Sequence, residues 1–245
     1  MIRSFLALLS VVLYLILTIP VLFIEWILKK FNKRAADISS LRMVQWIFKV
    51  ILFISGVKLT IKGEENIPKD KAVLYIGNHR SYFDIIITYS RCPDLTGYVS
   101  KDLLEKVPLL NIWMKRLYCL FLNRNDIKQG LKTILTGIDY VNNGISMCIF
   151  PEGTRNTTSD LLLPFKAGSL KIADKTGCPI IPMALTNTAD ILENHLPRIK
   201  STHVILQYGK PIYPNELSKE EKKKLAIYVQ AEVETLLKDN QSINH

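Results

Sequence analysis

The segment Asn78-His79-Arg80-Ser81-Tyr82-Phe83-Asp84 sets an imidazole and a carboxylate five positions apart. Imidazole is the natural general base near neutral pH, and a carboxylate on its other ring nitrogen fixes the tautomer and stabilises the imidazolium. On one regular helix the two side chains would lie about 140° apart around the axis. His79 is therefore expected in a turn and Asp84 in the first turns of the following helix, folded back toward it. A bare H-x4-D spacing is common. Asn78, Ser81 and the apolar run Ala72–Ile76 directly before the motif narrow the reading.

A second loop, Phe150-Pro151-Glu152-Gly153-Thr154-Arg155, also follows an apolar run. Gly153 permits close backbone approach, Thr154 offers a hydroxyl, and Arg155 can hold a phosphate or carboxylate bidentately. Glu152 would repel a phosphate if unpaired, so it is expected to orient an arginine or bind a substrate hydroxyl. Lys101, followed by Leu104, and Arg124 lie at the ends of further predicted strands. There the two cations could converge with Arg155 to clamp an anion.

These residues need a scaffold, and from Lys58 onward short β-rich runs alternate with helical patterns. Strands are predicted at 58–62, 72–76, 97–99, 118–122, 145–150, 180–184 and 204–207, with helices at 84–90, 102–104, 111–116, 126–142, 166–176 and 220–237. Such alternation predicts an α/β fold, a mixed and partly parallel sheet flanked by helices. In sheets of this kind ligands gather beyond the C-terminal strand ends, where both candidate loops fall. Ser218 and Glu221 have capping-box spacing, and Lys222, Lys223 and Lys224 read as a solvated face.

The fold is expected to follow an N-terminal two-helix membrane-anchoring segment, with residues 1–57 as anchor and 58–245 as the catalytic domain. Phe5 to Ile24 is a run without a charge, long enough to cross a bilayer, although Pro20 can kink it. Trp26 and the cluster Lys29, Lys30, Lys33 and Arg34 follow, an interfacial pattern that would hold the rest of the chain on the cytoplasmic side. In the second apolar stretch, Leu41 to Val57, Arg42, Gln45 and Lys49 draw one polar stripe. A helix of that kind is expected in the membrane interface with Trp46, Phe48, Ile51, Leu52 and Phe53 toward the acyl chains. The alternative is a core helix.

The chain has 245 residues and a net charge of 32 − 22 = +10. Residues 1–57 carry seven basic and two acidic side chains, so half of that excess sits beside the apolar segments. Such a balance suits anionic lipid headgroups. No nucleic-acid-binding motif or interleaved aromatic platform is present, so no nucleic-acid partner is expected. Cys92, Cys119, Cys148 and Cys178 form no C-x-x-C pair and read as reduced core residues, and no metal constellation is visible.

Taken together the motifs resemble the glycerolipid acyltransferases, in particular the 1-acyl-sn-glycerol-3-phosphate acyltransferases, from about Glu64 to Pro182. Asn78-His79-x4-Asp84 is similar to the family's H-x4-D motif, and Phe150 to Arg155 to its F-P-E-G-T-R motif. Lys101, Leu104 and Arg124 match the K-x2-L-x6-G-x12-R pattern, except that Asn111 stands where glycine is expected. Phe165-Lys166-x-Gly168 and Ile180-Ile181-Pro182 match two further segments. The resemblance implies transfer of a fatty acyl group from acyl-CoA or acyl-carrier protein to the sn-2 hydroxyl of lysophosphatidic acid, giving phosphatidic acid, with no cofactor beyond the acyl donor.

The residues fit that reaction on chemical grounds. His79 would deprotonate the hydroxyl with Asp84 holding its ring, and Lys101, Arg124 and Arg155 would clamp the acceptor's phosphate. Asn78, Ser81, Glu152, Gly153 and Thr154 would shape the surrounding loops. Direct attack needs no acyl-enzyme, so Ser81 and the cysteines are bystanders to the bond changes. Another acceptor, glycerol 3-phosphate or a different lysophospholipid, would use the same residues. A non-catalytic protein that binds membranes or anionic lipids would have no need of the His79/Asp84 pair.

Overall fold

The structure, a computed structural model, describes residues 1–123 and 126–242. Three helices come first: α1 (Ile2–Leu17), α2 (Ile19–Phe31) and α3 (Lys33–Ser55). Then follow β1 (Lys58–Lys62), β2 (Leu74–Gly77), α4 (Tyr82–Tyr89), β3 (Thr96–Lys101), α5 (Leu110–Arg116), β4 (Leu120–Leu122), α6 (Ile127–Asn142) and β5 (Ser146–Ile149). The chain continues through α7 (Lys171–Thr176), β6 (Ile180–Thr186), β7 (His203–Tyr208), α8 (Lys219–Lys223) and α9 (Leu225–Ser242).

The strands form one sheet in the order β1-β7-β6-β2-β5-β3-β4. Every pairing is parallel except β6 with β7. The expected mixed sheet is thus present, and each expected strand has a counterpart. Successive strand residues face opposite sides, and the central strands use this to build two cores. Tyr75, Cys148, Ile181 and Met183 pack on the side that carries α1, α3, α4 and α5. Leu74, Ile76, Met147, Ile149 and Ile180 pack on the other side with side chains from α7 and α9.

The first apolar run is not one straight helix. It breaks at Thr18, and α1 and α2 meet at a bend of 49° with Pro20 in the first turn of α2. Pro20 has no N–H to continue the ladder but fits a helix start, which is why the break falls here. Glu25 is buried in α2 against Arg116 of α5 at 3.1 Å, and it also accepts a hydrogen bond from Ser40. A carboxylate in this apolar setting is tolerable because it is paired.

The second apolar helix departs from the expected interfacial orientation. Ile51 and Leu52 face the core, and Phe48 meets Tyr89 edge-on at 5.8 Å. Trp46 and Phe53 alone of the five expected apolar contacts are well exposed. The reason is Gln45, which is buried rather than part of a wet stripe. Its Nε2 donates to the carbonyls of Tyr89 and Cys92, at 3.2 and 2.7 Å, and so satisfies acceptors at the C-terminal end of α4. Helix α3 is therefore a core helix on one face, with Leu41, Ile47 and Ile51 each contributing about 2 kcal/mol by burial.

By length and apolarity α3 could cross a membrane, and the bent pair α1 and α2 passes the same test as a unit. Helices α1 and α2 expose many large apolar side chains, among them Phe5, Leu8, Leu17, Phe23, Trp26 and Phe31. Apolar exposure of that extent marks a contact surface rather than a solvated face, and it supports membrane association. Lys30 lies over the Trp26 ring at 3.9 Å, a cation beside an aromatic at its edge.

In the C-terminal region, the expected single helix 220–237 is split at Lys224 into α8 and α9. The Ser218/Glu221 capping box forms as the spacing predicts.

Candidate active site

The H-x4-D residues leave the sheet at the C-terminal end of β2, beside the end of β5. Asn78 is buried, and its side-chain amide accepts from the Leu185 N–H at 2.8 Å and donates to the Leu185 carbonyl at 2.9 Å. The side chain thereby continues the pairing to β6 after the backbone has turned away. His79 follows in the turn, and Ser81 caps α4 by accepting the Phe83 N–H at 3.0 Å.

Asp84 is the third residue of α4 and is fully buried. One of its oxygens, Oδ2, accepts from His79 Nδ1 at 2.8 Å and from the Arg80 and Ser81 N–H groups at 2.7 Å each. The arrangement is a capping box in which the reciprocal carboxylate also holds the imidazole. With Nδ1–H donating to Asp84, the lone pair lies on Nε2. The ring is stacked on Phe150 at 4.5 Å and 17°, and the side chain is 16% exposed. His79 is thus fixed by Asp84 and Phe150 yet reachable from outside.

Glu152 takes neither of the roles expected for it. Its carboxylate is buried and accepts the His79 N–H at 2.6 Å and the Leu163 N–H at 2.9 Å. Among the described residues it pairs with no arginine, and both oxygens are spent on tying the two loops together. Burial holds its carboxyl above the usual range, although the two N–H donors pull the other way. Replacing Glu152 by alanine removes the acceptor of two part-buried N–H donors and should destabilise the fold by about 1–3 kcal/mol. Thermal unfolding checks this; an unaltered melting temperature would show the bonds to be dispensable.

Gly153 adopts φ +74°, and a Cβ there would come within 2.7 Å of Lys166 Nζ, so the turn needs glycine. Thr154 is exposed on the same turn. Asn156 donates its N–H to the His79 carbonyl at 2.7 Å, and the Arg80 guanidinium reaches the carbonyls of Thr158, Asp160 and Leu161. The two motif loops are therefore bonded to each other from both ends.

Two of the three expected clamp cations, Lys101 and Arg155, fall among the described residues. Lys101 lies exposed at the C-terminal end of β3 and makes no ion pair among the described residues. Arg124 lies outside the described residues. Arg155 turns toward α4, where its Nη1 meets Glu193 at 3.1 Å and its guanidinium lies 3.8 Å from the Tyr82 ring centroid. Asn111 occupies a helical position in α5, and its amide donates to the Glu105 carbonyl at 2.8 Å. The left-handed positions nearby are Leu109 and Tyr118, so the family glycine's place needs no special backbone here.

The cysteines are free. Burial pushes the Cys92 thiol up to about 11 and raises Cys119, Cys148 and Cys178 as well. None has the lowered pKa of an activated nucleophile. Glu193 and Asn156 were not singled out by the motifs. The signal for Asn156 was its place beside Arg155, whereas Glu193 meets Ser81 across 112 positions with no local pattern to mark it.

The family model described as Acyltransferase matches residues 58–186. A 1-acyl-sn-glycerol-3-phosphate acyltransferase of Borreliella burgdorferi is 32% identical over 193 residues, covering 78% of this chain and 76% of the relative. One from Saccharomyces cerevisiae is 30% identical and covers 82% of this chain and 69% of its own. The crystal structure of the 1-acyl-sn-glycerophosphate (LPA) acyltransferase, PlsC, from Thermotoga maritima superposes with a TM-score of 0.84 at 25% identity, covering 98% of this chain and 95% of that one. The likeness extends through the N-terminal helices as well as the sheet. With these relatives and this arrangement of motif loops, the chain belongs to the acyltransferase family and is an enzyme.

Proposed function

We propose that the protein transfers a fatty acyl group from an acyl-CoA or acyl-carrier-protein thioester to the sn-2 hydroxyl of 1-acyl-sn-glycerol 3-phosphate, giving phosphatidic acid. The observation that carries this reading is the 2.8 Å bond from His79 Nδ1 to a buried Asp84, which leaves Nε2 as a base in an accessible turn. The names of the similar proteins support the acceptor.

In this mechanism the acceptor hydroxyl gives its proton to His79 Nε2 as its oxygen attacks the thioester carbonyl. The new C–O bond forms and the C–S bond breaks. The leaving thiolate takes the proton from the imidazolium, so His79 returns to its starting state. Asp84 stabilises the transient positive ring and keeps it from rotating. Arg155 holds the phosphate, with Lys101 at the C-terminal end of β3 and the motif-matched Arg124 as the further cations of the clamp, while Gly153 and Thr154 form the adjacent turn.

The acceptor's tail and the donor's acyl chain need apolar surroundings. An apolar cavity of about 100 Å³ lies between α1, α3, α4 and α5, lined by Tyr14, Val44, Ile51, Trp113 and Ile85, the last adjacent to Asp84. Residues 1–57 serve as the membrane anchor of an acyltransferase domain spanning 58–245, with that domain on the cytoplasmic side, where acyl-CoA and acyl-carrier protein are found.

The test is to incubate purified protein with one acyl thioester and, separately, lysophosphatidic acid, glycerol 3-phosphate and other lysophospholipids, resolving products by mass. Phosphatidic acid as the main product is expected. Acylation of glycerol 3-phosphate or another headgroup instead would reassign the acceptor, and no product with any of them would favour a lipid-binding protein over an enzyme of this specificity.

A further inference from the structure

Glu193 stands beyond the end of β6 and outside the stretch matched by the family model, yet its carboxylate reaches into the site. Oε2 accepts from the Ser81 hydroxyl at 2.6 Å, and Oε1 accepts from the Tyr82 N–H at 2.8 Å. Oε1 also meets Arg155 Nη1 at 3.1 Å, while Arg155 Nη2 donates to the Tyr82 hydroxyl at 3.1 Å. The Glu193 side chain is 11% exposed and that of Arg155 is 31% exposed.

A carboxylate on a phosphate-binding arginine could act as a competitor that the phosphate must displace, or as a fixture that aims the arginine. The geometry favours the fixture. Among the described residues Glu193 takes a single N–H of the guanidinium and Tyr82 takes one more, so the other three of its five donors are left for an anion. Two of the bonds to Glu193 come from the start of α4 and do not involve Arg155, so the carboxylate has an anchor of its own. Stacking on Tyr82 restricts the guanidinium plane further.

We propose that Glu193 is a positioning residue for acceptor binding: it holds Arg155 against Tyr82 and ties that arginine to the first turn of α4. The proposal rests on the reading of Arg155 as the phosphate clamp. The same turn carries Asp84, to which Ser81 N–H and His79 Nδ1 both donate. The phosphate site and the base are then joined through Arg155, Glu193, Ser81, Asp84 and His79. That linkage sets the distance from the bound phosphate to Nε2, and therefore where the hydroxyl of a phosphate-bearing acceptor arrives.

Steady-state kinetics of the full-length protein tests this with Glu193→Gln, Arg155→Ala and the double variant, with lysophosphatidic acid and acyl-CoA as substrates. Glutamine keeps the size and can still pair with Ser81 and the Tyr82 N–H, but removes the charge facing Arg155. Glu193→Gln is expected to raise acceptor KM about tenfold, with a much smaller change in kcat and unchanged donor KM. In the double variant it should add nothing to the effect of Arg155→Ala, as expected for residues acting through one contact. Tyr82→Leu, at an exposed side chain, should raise acceptor KM in the same direction without disturbing the buried bonds.

Wild-type acceptor KM in both Glu193→Gln and Tyr82→Leu, alongside a raised KM in Arg155→Ala, would overturn the positioning role and leave the phosphate clamp standing. Additive effects in the double variant would also overturn it. An unchanged acceptor KM in Arg155→Ala would overturn the clamp itself, and the proposal with it.

Discussion

His79→Ala is expected to lower the rate of acyl transfer about a thousandfold, the range that a positioned general base supplies. The fold should survive, because the bonds that hold this turn are made by the backbone. The residue-79 N–H still reaches Glu152 and its carbonyl still accepts from Asn156. The lost ring contacts are the stack on Phe150 and the bond to Asp84. Initial rates, a thermal melt and co-sedimentation with anionic vesicles check the three parts together. Turnover within tenfold of wild type by a folded, vesicle-bound variant would remove His79 from the mechanism.

Asp84→Asn is expected to affect both rate and stability. The asparagine oxygen can take the place of Oδ2, but it meets the His79, Arg80 and Ser81 donors without a charge. Its NH2 group then occupies the position of Oδ1, which is buried and makes no hydrogen bond. An unsatisfied buried donor costs about 1–3 kcal/mol, which for a chain of this size lowers the melting temperature by about 2–12 °C. Without a carboxylate to stabilise the imidazolium, the rate should fall about a hundredfold or more. Stability therefore separates the two variants: both are slow, but only Asp84→Asn melts clearly earlier. A variant with wild-type rate and melting temperature would show that Asp84 neither orients the ring nor supports the helix start.

The parts of the molecule legible in the sequence are those whose causes are local. The central strands are short apolar runs because both of their faces are buried, as with Leu74 and Tyr75 on opposite sides of β2. His79 and Asp84 were legible because a turn followed by one helical turn brings positions five apart together. Of the polar stripe of α3, Arg42 and Lys49 are exposed as expected, and Gln45 was misread because a polar residue on an amphipathic helix suggests water. Gln45 instead meets carbonyls at the end of α4, an acceptor surface that exists only once α3 and α4 are packed.

Glu152 and Glu193 were hidden for a related reason. A motif gives the residue type but not the partner. Glu152 is spent on the backbone N–H groups of His79 and Leu163, and Glu193 arrives from a distant segment. Arg155 was identified from its motif, but its direction could not be, because that direction is set by Tyr82 and Glu193.

The central claim, that a phosphate-anchored acceptor is attacked through its sn-2 hydroxyl, is tested most directly by an analogue of lysophosphatidic acid lacking only that hydroxyl. The measurement is acyl-thioester consumption by the wild-type protein with each compound. The account predicts rapid consumption with lysophosphatidic acid, none above the acceptor-free background with the deoxy analogue, and competitive inhibition by that analogue. Consumption at the same rate with both compounds would contradict it.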